Sequence, residues 1–337
     1  MAPRDFRLAL FHSKFKVENE KPGKTNLELG INFVKLSFVQ NEEELQKIDY
    51  NEPLIRELEE KESFSFVAPT PNNPPWGSLA AFGLWVFSVF CIIIFPNLFV
   101  LPYLAQQGID FSEKGRLTEF VTTDPTSILL QLLAVFPAHI LTLVAAWLVV
   151  TKLRTFSFRQ TLGWNWGGFK FWHIPAIIAF FFGLAAILNS IFGEQVTDFD
   201  KILQSSRTAV YLVAFFATFT APLVEEVIYR GVLYSAFQKK LGVIWGVVLV
   251  TVLFALVHVP QYSKDLVPDV VSVSMILLLS LVLTLVRVKT GNLLPCIVLH
   301  TVFNGIQAVF LILQPLLEKY SETQNEQTVS LILHFPK

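Results

Sequence analysis

The sequence predicts an all-α, polytopic transmembrane helical bundle preceded by a small soluble extension, and three observations predict it. Of 337 residues, 53% are hydrophobic and 16% charged, against a charged share of about 25% in an ordinary soluble domain. Seven apolar stretches approach or exceed the about 20 residues a helix needs to cross a bilayer, at 79–103, 126–150, 171–192, 208–237, 242–258, 270–288 and 293–316. Finally, the connections alternate in charge. Lys152, Arg154, Arg159 and Lys170 follow the second stretch, Lys239 and Lys240 the fourth, and Arg287 and Lys289 the sixth, whereas Asp110, Glu113, Glu119 and Asp124 follow the first and Glu194, Asp198 and Asp200 the third.

Residues 1–75 read as a soluble acidic extension with a proline-rich linker. Within them, 31–39 (INFVKLSFV) has the composition of a short strand. The segment 42–62 sets nine acidic residues against Lys47, Arg56 and Lys61, which describes a solvated helix or a disordered segment better than a binding face. No short apolar stretch follows basic residues here, so the first span is expected to direct insertion itself. The run 68–75 (APTPNNPP) is expected to be stiff and extended, ending at Trp76, an aromatic suited to the membrane interface.

The transmembrane domain is placed at 76–318 and a polar C-terminal tail at 319–337. The fifth stretch is the shortest, and the fourth is long enough to continue beyond the bilayer. Basic connections face the cytoplasm, so seven spans put the N-terminus inside and the C-terminus outside. Trp164, Trp166 and Trp172 cluster beside the second of the cytoplasmic connections, as an interfacial belt would. Lys240 and His258 raise a difficulty, because 18 residues of straight helix separate them, about 27 Å at the α-helical rise, whereas His300 is only a few turns from Lys289. Those depths disagree unless the fifth helix starts later or tilts.

A net charge of -1 gives no basic field for nucleic acid, and no Lys/Arg cluster interleaves with aromatics. The two cysteines, Cys91 and Cys296, fall inside spans and read as small packing residues.

Chemistry concentrates in the last four spans. Glu225 and Glu226 lie side by side in the fourth, which at about 2.5–3.5 kcal/mol per acid makes the pair unfavourable by about 5–7 kcal/mol before compensation. Arg230, four residues after Glu226, shares its face and can pair with it. Glu225 points about 100° away, and remains available as a general base. A packing salt bridge between helices is the competing reading of the pair. His258 ends the run Phe254-Ala-Leu-Val-His258, and His300 and Asn304 stand four apart on one face of the last span. Each is open to a plainer reading as an interhelical hydrogen-bonding group. His12, His334 and His173 lie in tails or at the interface, and His139, although intramembrane, has no polar partner at helical spacing. Pro222 and Pro295 free backbone carbonyls near the two sites.

Two acids, two histidines and an amide can position a water, remove its proton and stabilise the oxyanion formed when it attacks a peptide carbonyl. The His-Glu-x-x-His pattern, the Gly-x-Ser-x-Gly nucleophile and the Walker loop are all missing from the sequence.

Glu225-Glu-x-x-x-Arg230, Phe254-x-x-x-His258 and His300-x-x-x-Asn304 together resemble, in order and spacing, the CPBP family of CAAX-processing and bacteriocin-processing intramembrane endopeptidases, which includes the type II CAAX prenyl endopeptidases. The resemblance covers about 205–315. It implies a hydrolase in which Glu225 activates water with His258 beside it, while His300 and Asn304 stabilise the oxyanion or help to bind a metal, and Glu226 and Arg230 organise the site. Phe254 supports it. The family nomenclature leans toward a metalloprotease. Glu225, His258 and His300 have zinc-ligand chemistry, but a metal-free glutamate mechanism uses the same atoms, and the residues leave both open.

The expected partner is a membrane-associated protein or peptide substrate, lipidated or not, within the lipid bilayer and without nucleic acid. The expected location is the plasma membrane of a prokaryotic cell. Two other classes compete: a catalytically silent scaffold or immunity protein that keeps the fold, and a proton-coupled transporter. The intact polar set disfavours the first, and the lack of an internal repeat disfavours the second.

Overall fold

The computed structural model describes residues 68–193, 197–264 and 267–333, with side chains within 68–193, 197–263 and 269–315. The expected strand at 31–39 and the acidic segment at 42–62 lie outside the described residues. Among the described residues ten helices follow one another: α1 (Ser78–Gln106), α2 (Lys114–Thr123), α3 (Pro125–Thr151), α4 (Phe158–Leu162), α5 (His173–Phe192), α6 (Asp198–Ser205), α7 (Arg207–Leu241), α8 (Val243–His258), α9 (Val270–Thr290) and α10 (Leu294–Leu333). A two-residue antiparallel ladder, β1 (Ser263–Lys264) on β2 (Val267–Pro268), joins α8 to α9.

Six of the helices, α1, α3, α5, α7, α9 and the Leu294–Pro315 part of α10, are long and apolar enough to cross a membrane. The fifth expected span, α8, has 16 residues, about 24 Å at the helical rise, and falls short of the about 30 Å hydrocarbon thickness. The backbone of α10 continues as helix to Leu333, through most of the segment read as a tail.

Local chemistry sets the helix ends. Asp124 accepts the Ser127 amide at 2.7 Å with Pro125 in the first turn of α3, Ser206 accepts Ala209 N at the start of α7, and Asp269 accepts Ser272 N at 2.9 Å in α9. Thr197 and Asp200 form a reciprocal capping box for α6. At the other end of α9 stands Gly291, at φ 65°, where a side chain would be strained.

The central helix is α7. Every residue from 226 to 237 is buried, as expected of a helix surrounded on all sides. Around it pack Ala81 and Leu84 of α1, Ala146 and Val150 of α3, Leu162 of α4, Val250 and Phe254 of α8, and Leu293. The outer faces of α1 and α5 instead present Phe90, Ile93, Phe180 and Ile187. Lipid chains satisfy such residues as well as protein does, so association of the helices rests on close packing and buried polar contacts.

Two stretches of α7 are wound as π-helix, Phe216–Thr220 and Val227–Leu233. The first ends two residues before Pro222, which lacks an N–H and crowds the carbonyl four residues back. Widening the turn relieves that crowding.

One end of the bundle gathers all the basic connections with the residues before α1. Lys239 Nζ donates to Pro74 O at 3.1 Å, Gln238 Nε2 to Asn72 O at 2.9 Å, and Trp76 Nε1 to Val232 O at 3.1 Å. Buried Arg287 donates to Pro71 O at 2.7 Å, Asn72 Oδ1 at 3.1 Å and Ser235 Oγ at 3.2 Å. Residues 70–76, expected from their prolines to be a stiff, extended linker, are a strap folded onto the helices.

The depth disagreement also resolves at this end. Leu293 N donates to Gly163 O at 2.8 Å, and a methyl group at Gly231 would sit 3.1 Å from Leu162 Cδ2 and 3.3 Å from Leu293 Cδ2. The start of α10 is thus level with Gly231, ten residues or about 15 Å short of the end of α7. From that common level, Glu226 lies five residues along α7 and His300 seven along α10, so they meet. The helix α8 begins farther out and reaches the same level only at its last residue, His258.

Candidate active site

Three helices bring the candidate residues together. On α7, Glu226 and Arg230 form an ion pair with Arg230 Nη1 2.9 Å from Glu226 Oε1, and both side chains are completely buried. A buried pair of this kind is tolerable only when its remaining polar atoms are satisfied. Arg230 Nη2 donates to Ser280 O at 2.9 Å and Ser280 Oγ at 2.8 Å, and its Nε to Thr284 Oγ1 at 3.3 Å, so α9 completes the guanidinium shell. Arg230 Cζ also lies 4.7 Å from the centroid of the Phe254 ring. Glu226 Oε2 is left without a hydrogen bond among the described residues.

His300 reaches the pair from α10, its Nδ1 2.8 Å from Glu226 Oε1. An ionised carboxylate can only accept, so Nδ1 carries the hydrogen and, in the neutral ring, Nε2 carries the lone pair. That Nε2 lies 3.8 Å from Glu225 Oε2. On α8, His258 Nδ1 is 2.7 Å from Phe254 O, an acceptor again, so the same tautomer follows. Its Nε2 lies 3.9 Å from Glu225 Oε1. Two imidazole nitrogens thus face the two oxygens of one carboxylate, each beyond hydrogen-bond distance. Glu225 is 23% exposed and His258 20%, against 3% for His300. Among the described residues, the cluster is thus more open on the Glu225 and His258 side than at His300.

Phe254 fixes both rings. It stacks on His258 at 4.6 Å and 28°, and meets His300 edge-on at 6.2 Å. Tyr229 closes the other side, edge-on to Phe254 at 4.9 Å and with its hydroxyl accepting from Trp85 Nε1 at 3.0 Å.

Asn304 sits one turn beyond His300 but is turned toward a different group, donating through Nδ2 to Ala217 O at 2.9 Å. In the first π segment Ala221 N–H bonds to Phe216 O, so the next amide in register would serve Ala217 O, and that position is Pro222. Asn304 thereby replaces the donor that proline removes.

As ligand types, Glu225, His258 and His300 suit zinc, and around one point they form three acceptors of which a water could satisfy two. The spacing suits it less well, since donors of a tetrahedral zinc at about 2.1 Å lie about 3.4 Å apart, against 3.8–3.9 Å here. Among the described residues no three His, Cys, Asp or Glu side chains close into a metal cage.

Several contributors escaped the sequence reading. Ser280 and Thr284 hold Arg230, and a polar stripe at i, i+4 and i+7 of α9, ending at Arg287, could have indicated them. Tyr262, in the turn after α8, has its backbone N–H 3.3 Å from His258 O. Burial, with the Glu225 and Asp200 carboxylates adding to it, pushes its hydroxyl up to about 12, so it stays a neutral donor. His139, without a polar partner on its own helix, places Nδ1 2.9 Å from Thr220 Oγ1. Cys91 and Cys296 are free and buried.

The segment 207–306 matches the family described as type II CAAX prenyl endopeptidase Rce1-like, and this segment contains Glu225, Glu226, Arg230, Phe254, His258, His300 and Asn304. No curated protein and no solved structure matches the chain. Over residues 207–306, then, the chain carries a segment that matches the Rce1-like type II CAAX prenyl endopeptidase domain of the CPBP family, a family of intramembrane proteases.

Proposed function

We propose that the protein is an intramembrane endopeptidase that hydrolyses a peptide bond of a membrane-associated protein or peptide, of CAAX or leader type, with Glu225 as the general base. The convergence of two Nε2 lone pairs on the Glu225 carboxylate at 3.8–3.9 Å supports this reading. A water placed among the three gives one proton to Glu225 while its second hydrogen bonds to Nε2 of His258 or His300. Its oxygen bonds to the carbonyl carbon, the C–N bond breaks as the tetrahedral intermediate collapses, and the proton held by Glu225 passes to the leaving amine. Asn304 keeps a second Nδ2–H for the oxyanion. Glu226 and Arg230 take no proton; they fix the tautomer and direction of His300.

A divalent cation held by Glu225, His258 and His300 would supply Lewis acidity at the same point. The basic end of the bundle is proposed to face the cytoplasm, in a prokaryotic plasma membrane.

The test is cleavage of membrane-tethered peptides, prenylated and not, by full-length wild type and Glu225→Gln, with metal content measured on the same samples. Cleavage by wild type alone supports the reading and identifies the substrate class, and stoichiometric zinc would assign the cofactor. Equal cleavage by both proteins would overturn the role of Glu225 as the base, and none by folded wild type would overturn the reading in favour of the scaffold.

A further inference from the structure

His139 is a buried, ionisable side chain at the middle of α3 that the hydrolytic steps above do not use. It is 9% exposed, and its Nδ1 lies 2.9 Å from Thr220 Oγ1. A histidine placed so deep among apolar residues is unfavourable unless it does something there.

Thr220 is the last residue of the first π segment of α7. Its hydroxyl also faces Phe216 O, but at 3.4 Å, so the short partner is the imidazole. The same segment is held from its other side by Asn304 on Ala217 O, 2.9 Å away. Phe136, one turn before His139, adds a ring contact to Phe216 at 6.5 Å. Among the described residues, these two side-chain hydrogen bonds are the polar ties between the segment and other helices.

The piece of α-helix that follows, Ala221–Glu226, lies between two π segments. A π turn carries one extra residue, so the side chains after it are rotated by about 100° from where a continuous α-helix would aim them. The direction of Glu225 therefore depends on where the first π turn is located. Asn304 and His139 hold it at 216–220 against migration along the helix.

We propose that His139 is a positioning residue of the active site: by binding Thr220 it pins the π turn that aims Glu225 at His258 and His300. The inference rests on the proposed role of Glu225 as the base, and it acts through helix geometry without contact with substrate.

The experiment compares full-length wild type, His139→Ala, His139→Asn, Thr220→Val and the double variant His139→Ala/Thr220→Val in bilayer nanodiscs. Peptide cleavage is read as kcat and KM, and Glu225 modification by a hydrophobic carbodiimide is read by mass spectrometry. The expected result for His139→Ala is a loss in kcat of about three- to tenfold, the size of one intramembrane side-chain hydrogen bond, with KM unchanged. In His139→Asn the amide nitrogen stands close to the position of Nδ1, and most of the rate returns. Thr220→Val reproduces the loss, and the double variant is no slower than either single one. The Glu225 modification rate changes in the same variants, with the same rescue by Asn. Because modification needs no turnover, it decides the matter even if wild type cleaves none of the peptides, an outcome that would sink the protease reading alone. Unchanged kcat and modification in folded His139→Ala, or losses that add in the double variant, would overturn the proposal.

Discussion

Glu226 Oε1 accepts from His300 Nδ1 at 2.8 Å while the same oxygen is 2.9 Å from Arg230 Nη1. One buried oxygen thus joins the ion pair of α7 to the imidazole of α10. It also underlies the proposed division of labour between the adjacent acids. Glu226 is taken up by these contacts, whereas Glu225, about 100° of side-chain direction away, is proposed to keep both oxygens for a reacting molecule.

The two acids should therefore fail differently. Glu226→Ala leaves Arg230 buried without its counter-charge, and breaking a buried pair in this way costs about 3–5 kcal/mol. We expect a clear fall in the thermal unfolding midpoint in detergent, together with lost cleavage. Glu225→Gln, partly exposed and unpaired, should melt close to wild type while cleavage falls to background. Equal melting shifts for the two variants would contradict the assignment.

Phe254 supports three charged or ionisable groups at once, with Arg230 4.7 Å from its centroid and His258 stacked at 4.6 Å. Phe254→Leu keeps most of the volume and removes the π face. The expected stability loss is about 1–2 kcal/mol, from a lost cation–π contact and ring stacking. Cleavage should drop more than stability, because the stacked His258 loses its fixed plane. A variant as active as wild type would show that the ring is packing only.

The sequence was most legible where chemistry was dense. Glu225, Glu226, Arg230, His258 and His300 stand at helical spacings inside apolar stretches, and the unfavourable burial of such groups makes them conspicuous. Asn304 was visible too, but its direction toward Ala217 O depends on Pro222 being opposite, which spacing within one helix does not reveal. His139 gives no such signal, because its partner, Thr220, lies on another helix. The π turns of α7 leave no periodic signature, and the level of Leu293 against Gly231 is a matter of tertiary contact. For the same reason the proline-rich run at 68–75 looked like a spacer, since its anchors, Arg287, Gln238 and Lys239, lie more than 150 residues away.

Arg287 is the anchor to test. Its guanidinium is fully buried, its Nε lacks a partner among the described residues, and its other donors go to Pro71, Asn72 and Ser235. Arg287→Ala removes at least three hydrogen bonds and leaves their acceptors stranded at about 1–3 kcal/mol each where burial persists. Limited proteolysis should then cut within 68–76 much faster than in wild type, whereas Asn72→Ala, which removes one side-chain acceptor, should have a smaller effect. Equal protease resistance in Arg287→Ala would mean that the strap is held by Trp76 instead.

Trp76 and Ser78 define where the extension can be removed. Deletion of residues 1–67 leaves every described contact in place, and we expect the shortened protein to fold, to melt near wild type and to cleave a short peptide. Deletion of residues 1–77 removes Trp76, which is 6% exposed and donates to Val232 O inside the second π segment of α7. Loss of a buried tryptophan costs about 3–5 kcal/mol, and here it also frees a carbonyl of α7, the helix that carries Glu225. The longer deletion should therefore lose both unfolding midpoint and activity. If instead the shorter deletion already prevented folding, residues before Ala68 would belong to the folded unit, and the boundary drawn here would be wrong.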